Sequence, residues 1–339
     1  VLKKQMGIPM KTIMVITDNL PDQVNGVVTT FTNVESQARK DGYKIVYIDP
    51  RSFPHISCPG YPEVKLSWPK KIGRLIMAEH PDYIHIATEG PIGLAARIWL
   101  DHKRWRYNTS YHTRFPEFLK EIYGIPMFMT YWYVRWFHKH SGKVLTTTPA
   151  MADELISKGF KNVIGWTRGV NRSNLMPSKS RIYNRDITLL SVGRISKEKN
   201  LDALIPLQYE FDMVVVGDGP YREELQSKMP AAQFVGYKSG TELADYYQTA
   251  DVFVFTSQTD TFGLVIIESM SLGTPIAAYP VRGPVDIIEQ GVNGYIHEDL
   301  YHAVKNCLEL DRDAVKRSSE KWTWERCWQI FRDNLIPLQ

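Results

Sequence analysis

Glu268 stands in the segment SQTDTFGLVIIESMSLGTPI, residues 257–276, directly behind Leu264, Val265, Ile266 and Ile267. A carboxylate in so apolar a helix meets a desolvation penalty of several kcal/mol or is forced neutral, so it asks for a partner. Two kinds fit: an internal cation forming a buried ion pair, or the vicinal hydroxyls of a ligand, as acidic residues grip ribose in dinucleotide folds. Asp260 lies eight residues earlier, in the loop before the helix. It either caps that helix or holds the hydroxyls of a second sugar ring. Phe262, Gly263 and Leu264 open the helix, and unpaired N–H groups at a positive dipole end suit an anion. Gly263 lets a ligand approach the main chain closely.

Other segments supply charge and turns. GRISKEKN (193–200) carries Arg194, a planar fork, and Lys199, a mobile point charge. That pair suits a pyrophosphate, with a solvated basic loop as the alternative. VVGDGP (215–220), with Gly217, is a strand-to-helix turn and also ordinary turn chemistry. DNLPDQVNGVVTT (18–30) follows the first strand and contains Asn25-Gly26, where Asn tolerates positive φ better than most residues. His112 in SYHTRFPEF follows a strand, and Arg168 in GWTRGVN is placed to reach the cleft.

The elements that position these residues read as strands alternating with helices. In the first half the expected strands are 11–18, 43–50, 82–88, 106–112 and 143–149, with a helix over 27–40; in the second they are 187–194, 211–219, 232–237, 251–257 and 274–280. Such β-α-β alternation means parallel sheets covered by helices on both faces. The expected fold is α/β: two doubly wound, Rossmann-like domains facing a central cleft. Residues 1–168 form one domain and 169–318 the other. The tail 319–339 packs back across as an aromatic helix bearing Trp322, Trp324, Trp328 and Phe331. Residues 171–186 read as a linker. Strand carboxyl ends of both sheets then share one cleft, where ligands of open α/β sheets bind.

Composition bounds the function. Hydrophobic content of 43% and charged content of 23% over 339 residues are those of a soluble globular protein of two domains. The longest runs without Asp, Glu, Lys or Arg are thirteen residues, too short to cross a bilayer, and no secretory core is seen near the amino end. A cytoplasmic protein is expected. Cys58, Cys307 and Cys327 are widely spaced, which reads as idle thiols rather than a disulfide or zinc site. Residues 1–170 hold 23 Lys and Arg against 14 Asp and Glu, whereas the remainder holds 18 against 23. The basic half suits an anionic partner. Nucleic acid is not expected, since no nucleic-acid-binding motif occurs. Residues 128–143, FMTYWYVRWFHKHSGK, either pack as a helix, the favoured reading, or lie on an anionic membrane.

The acid-x7-Glu spacing, the small-residue turn and Thr-Pro in TDTFGLVIIESMSLGTPIAAYPVRGPVDII resemble the signature of GT-B glycosyltransferases of family 4, the retaining glycosyltransferase group 1 class. EGPIGLAAR, SYHTRFPEF, TTTPAMADEL, GRISKEKN, VVGDGP and FVGYKS, in this order along the chain, resemble that family's segments at the expected places, and the resemblance runs from about residue 12 to the final helix. It implies a retaining hexosyltransferase taking a nucleotide diphosphate sugar, with no metal or other cofactor required. Arg194 and Lys199 would clamp the diphosphate, Glu268 the ribose and Asp260 the sugar. His112 would lie beside the transferring sugar. Asn25, Gly26, Gly217, Phe262, Gly263, Leu264 and Arg168 would border the donor, and the main chain at Tyr237 and Lys238 would cradle the base. The family usually has Glu where this chain has Asp260. GDP-mannose is favoured as donor, with UDP-glucose or UDP-galactose as alternatives and a glycan or lipid hydroxyl as acceptor. A sugar-nucleotide epimerase, a glycosidase with two carboxylates and a sugar-binding module without turnover are the rivals.

Overall fold

Continuous apolar runs make the strands, since parallel strands are buried on both faces: Ile13, Met14, Val15 and Ile16 are fully buried. The structure, a computed structural model, describes residues 10–23, 25–58, 61–178 and 187–338. The first lobe runs β1 (Lys11–Ile16), α1 (Gly26–Lys40), β2 (Tyr43–Ile48), β3 (His55–Cys58), β4 (Tyr61–Ser67), α2 (Ile72–Ala78), β5 (Tyr83–Ile86), α3 (Pro91–Lys103), β6 (Asn108–Tyr111), α4 (Phe115–Tyr123), α5 (Met127–His138), β7 (Val144–Thr146), α6 (Pro149–Ser157) and β8 (Val163–Gly165). The second runs β9 (Thr188–Val192), β10 (Asp212–Val216), α7 (Arg222–Lys228), β11 (Gln233–Gly236), α8 (Gly240–Thr249), β12 (Val252–Phe255), α9 (Leu264–Ser271), β13 (Ile276–Ala278), α10 (Pro284–Ile287), β14 (Gly294–Ile296), α11 (Leu300–Cys307) and α12 (Arg312–Ser318), followed by α13 (Trp324–Asp333).

Each lobe holds one six-stranded parallel sheet, ordered β2-β1-β5-β6-β7-β8 and β11-β10-β9-β12-β13-β14. In both, the chain builds outward on one side and then returns to the other side of its first strand. The reversals fall between β1 and β5 and between β9 and β12, so ligand crevices are expected outside the carboxyl ends of those strands. Every strand expected from the sequence is present, trimmed at its ends. The antiparallel pair β3-β4 and the three-residue edge strands β8 and β14 were not expected. Of the expected linker 171–186, residues 179–186 lie outside the described residues.

The return of α13 to the first lobe has a direct cause. Trp324, Cys327, Trp328 and Phe331 lie on one face of the helix and are buried against Phe31 and Trp166. The Trp166 indole donates to the Cys327 carbonyl at 2.9 Å, and Trp328 and Arg332 donate to Asp41 at 2.7 and 2.8 Å. Trp322, just before the helix, packs edge-on to Phe262 of the second lobe at 5.4 Å. The expectation for residues 128–143 holds in part. In α5, Thr130, Val134, Phe137 and His138 are buried, while Phe128 and Trp132 stand 75% and 65% exposed on the other face.

Candidate active site

The loops leaving β9 and β12 flank the second reversal, and hydrogen bonds stitch them together. Thr256 Oγ1 donates to the Lys199 carbonyl at 2.7 Å, and Asn200 Nδ2 to the Thr256 carbonyl at 3.4 Å. Across these loops Lys199 Nζ meets both oxygens of Asp260, at 2.7 and 2.9 Å, with each side chain about a quarter exposed. Two residues expected on different parts of a ligand therefore hold each other. Asp260 is not a helix cap: the N-cap of α9 is Gly263, and no side chain caps the helix there. The Ile266 N–H is bonded to the Gly263 carbonyl at 2.9 Å, and the N–H groups of Leu264 and Val265 ahead of it have no side-chain cap and suit a ligand. Gly263 sits at φ +84°, and a Cβ there would come within 3.0 Å of Phe255 and Ile266, so the sharp entry into α9 requires glycine.

Glu268 lies one turn into α9 and has no internal cation among the described residues. The one hydrogen bond to its carboxylate there is from the Tyr247 hydroxyl, at 3.1 Å. Burial pushes its carboxyl above the usual range, opposed by that bond. Ser257, two residues beyond β12, has a buried hydroxyl with no partner among the described residues. Arg194 is half-buried on the loop after β9. Gly217 lies at φ +141°, where a Cβ would overlap the Gly193 carbonyl at 1.8 Å, so its role is to let the β9 and β10 loops touch. Tyr237 is exposed beyond β11, and Lys238 pairs with Glu242 at 2.5 Å.

In the first lobe, Asn25 is corrected. Its φ is −150°, not positive, and its side chain accepts from the N–H groups of Val27 and Val28 at 3.0 and 2.9 Å, capping α1. Gly26 starts the helix opposite the other lobe, where an added Cβ would stand 3.9 Å from Leu264. Leu264 packs into the apolar clusters of both lobes, and Phe262 is buried against Trp322. Neither side chain is therefore available to a donor; only their main chain is.

His112, at the carboxyl end of β6, comes to the seam. Thr261 Oγ1 donates to the His112 carbonyl at 2.6 Å, and Thr147 Oγ1 to the Thr261 carbonyl at 2.7 Å. Its ring rests between Phe31 and Trp166. Arg168 is corrected too. It does not reach into the cleft but lies buried behind His112, donating to Nδ1 at 2.9 Å and to the Trp166 and Thr167 carbonyls at 2.6 and 3.0 Å.

Some residues at this seam gave no warning. Tyr247 lies 21 residues before Glu268 and nothing in the sequence joins them. Asp18 lies two residues beyond β1. Its carboxylate accepts from Thr88 Oγ1 at 2.7 Å and Ile92 N–H at 2.8 Å, and burial raises its pKa to about 6.

Residues 24–174 match the family model described as Glycosyltransferase Family 4, and residues 173–307 match that of glycosyl transferases group 1. The chain belongs to the GT-B glycosyltransferases of family 4. This glycosyltransferase is 28% identical to a GDP-mannose-dependent alpha-mannosyltransferase of Corynebacterium glutamicum, over 96% of this chain and 88% of that one. It is 29% identical to the sulfoquinovosyl transferase SQD2 of Arabidopsis thaliana, over 91% and 66%. Its fold matches sucrose-phosphate synthase of Thermosynechococcus elongatus with a TM-score of 0.77 at 18% identity, covering 95% and 98% of the chains. The enzyme is a hexosyltransferase that draws on a nucleotide sugar.

Proposed function

We propose that the glycosyltransferase moves a mannosyl group from GDP-mannose to a hydroxyl of a glycan or lipid, with retention at the anomeric carbon. The observation that carries the donor site is Glu268: a half-buried carboxylate, close to the β9/β12 reversal, with a tyrosine hydroxyl and no cation beside it. Ribose hydroxyls fit the remaining acceptor capacity. The similarity to a GDP-mannose-dependent relative supports the base and the sugar.

Cleavage of the sugar–phosphate bond builds positive charge on the ring and negative charge on the leaving diphosphate. Arg194, Lys199 and the first-turn amides of α9 meet that negative charge where it develops. Lys199 has three N–H donors, so one remains for a phosphate oxygen while Asp260 holds the others. That contact also fixes Asp260 for the sugar hydroxyls. In this reading protein cations do the work a metal does elsewhere, and the main chain at Tyr237 and Lys238 borders the base. The division into 1–168 and 169–318, with 319–339 returning to the first lobe, belongs to the same proposal.

The acceptor reading extends to a membrane. Phe128, Trp132, Arg135 and Lys139 follow one another at helical spacing and are all exposed, the pattern of an interfacial helix. No described helix is long and apolar enough to cross a membrane. A thermal-shift panel tests the donor: GDP and GDP-mannose should raise the melting temperature more than UDP and UDP-glucose, because a ligand stabilises in proportion to its occupancy. The reverse order overturns the base. Sedimentation with anionic vesicles tests the surface; binding should weaken with salt and vanish in a Phe128→Ser, Trp132→Ser protein.

A further inference from the structure

His112 offers two ring nitrogens, and the structure treats them differently. Nδ1 is 2.9 Å from an Arg168 guanidinium nitrogen. Guanidinium has donors only, so Nδ1 must accept. A neutral imidazole that accepts at one nitrogen carries its proton on the other. That other nitrogen, Nε2, is buried and has no partner among the described residues. Buried donors in native structures are nearly always satisfied, so an orphan beside a cleft marks a place for a ligand atom.

Arg168 is held firmly enough to impose this. Two further bonds go to the Trp166 and Thr167 carbonyls, and its guanidinium lies 4.6 Å from the centroid of the Trp166 ring. The same indole is clamped by α13 through the Cys327 carbonyl.

We propose that Arg168 is a positioning residue that locks His112 as the neutral Nε2–H tautomer, making its ring a fixed hydrogen-bond donor to an oxygen of the transferring sugar rather than a base. This rests on the placement of His112 at the sugar given above. The surroundings agree. Burial, then Arg168, then His85 hold the His112 ring well below its ordinary value. His85 is itself lowered to about 3 by burial and so stays neutral. Arg168, lowered to about 10, stays charged, with Cys327 of α13 the other titratable group against it. Protonating His112 would set two cations in contact without water. The acceptor's proton therefore leaves by another route, and the ring serves one purpose only, to direct its N–H at the sugar.

Long-range proton–nitrogen NMR of the histidine-labelled protein reads the tautomer directly. The expected result is a proton on Nε2 and no titration of His112 in the ordinary histidine range, about pH 6.5. Arg168→Met should mix the tautomers, move the titration upward and lower kcat about tenfold, with Arg168→Lys restoring part of both. A proton on Nδ1 in the unaltered protein, or a Met variant with unchanged tautomer and rate, overturns the proposal. Should Arg168→Met not fold, the spectrum of the unaltered protein still decides. Unaltered transfer by His112→Ala would sink the placement of the ring at the sugar, a different failure from a wrong tautomer.

Discussion

Single side chains carry the sharpest expectations. Glu268→Gln keeps the shape and an acceptor for Tyr247 but removes the charge that burial opposes. Transfer should fall on the order of 100-fold, the loss typical of one preorganised electrostatic contact, while the melting temperature holds or rises. Lys199→Ala should lower kcat by a similar factor and leave Asp260 without its cation. Steady-state rates with melting curves check both. Asp18 gives a pH dependence. Its ordinary value of 3.8 rises to about 6, chiefly through burial, against hydrogen bonds from Thr88, Ile92 and Gly93. Between those values the unfolded chain loses its proton before the folded one does. The contribution of Asp18 to stability should therefore fall by roughly 3 kcal/mol as pH rises from about 4 to about 6, and stay level above. Urea unfolding at several pH values, with Asp18→Asn removing the slope, measures it.

Elements show what a sequence discloses and what it hides. The central strands were legible because burial on both faces leaves nearly continuous apolar runs, as at Ile13–Ile16 and Val252–Phe255. The edge strands β8 and β14 have three residues each, too few for any period to show, and the pair β3-β4 alternates little. The acid-x7-Glu segment was legible because its residues are neighbours on one loop and one helix. Tyr247, by contrast, meets Glu268 only through the packing of α8 on α9, and the Arg168 contact with His112 joins residues 56 apart. Asn25 misled because capping and positive φ favour the same residue type. At α13, Phe331 is 1% exposed among Trp166, His85 and Phe31. Phe331→Ala should lower the unfolding free energy by about 3–5 kcal/mol, measured by urea denaturation.

The molecule as a whole works at the seam between its lobes. Besides Thr261 with His112 and Thr147, Ala150 N–H donates to Asp286 at 3.3 Å and Arg282 lies 3.4 Å from Glu154. These polar contacts lie beside the apolar contact of Leu264 with the clusters of both lobes. Thr261→Val removes one such bond and should lower kcat/KM about fivefold, the equivalent of about 1 kcal/mol, with the melting temperature unchanged.

The helix that recrosses the molecule also constrains how the polypeptide matures. Phe31 and Trp166 are synthesised early, yet the rings that cover them arrive only after the entire second lobe has left the ribosome. Until then the nascent first lobe displays an oily, unfinished face, the kind of surface that chaperones bind and that drives misassembly. A fragment ending at residue 178 should accordingly precipitate on expression, and a peptide of residues 320–338 supplied alongside it should rescue its solubility.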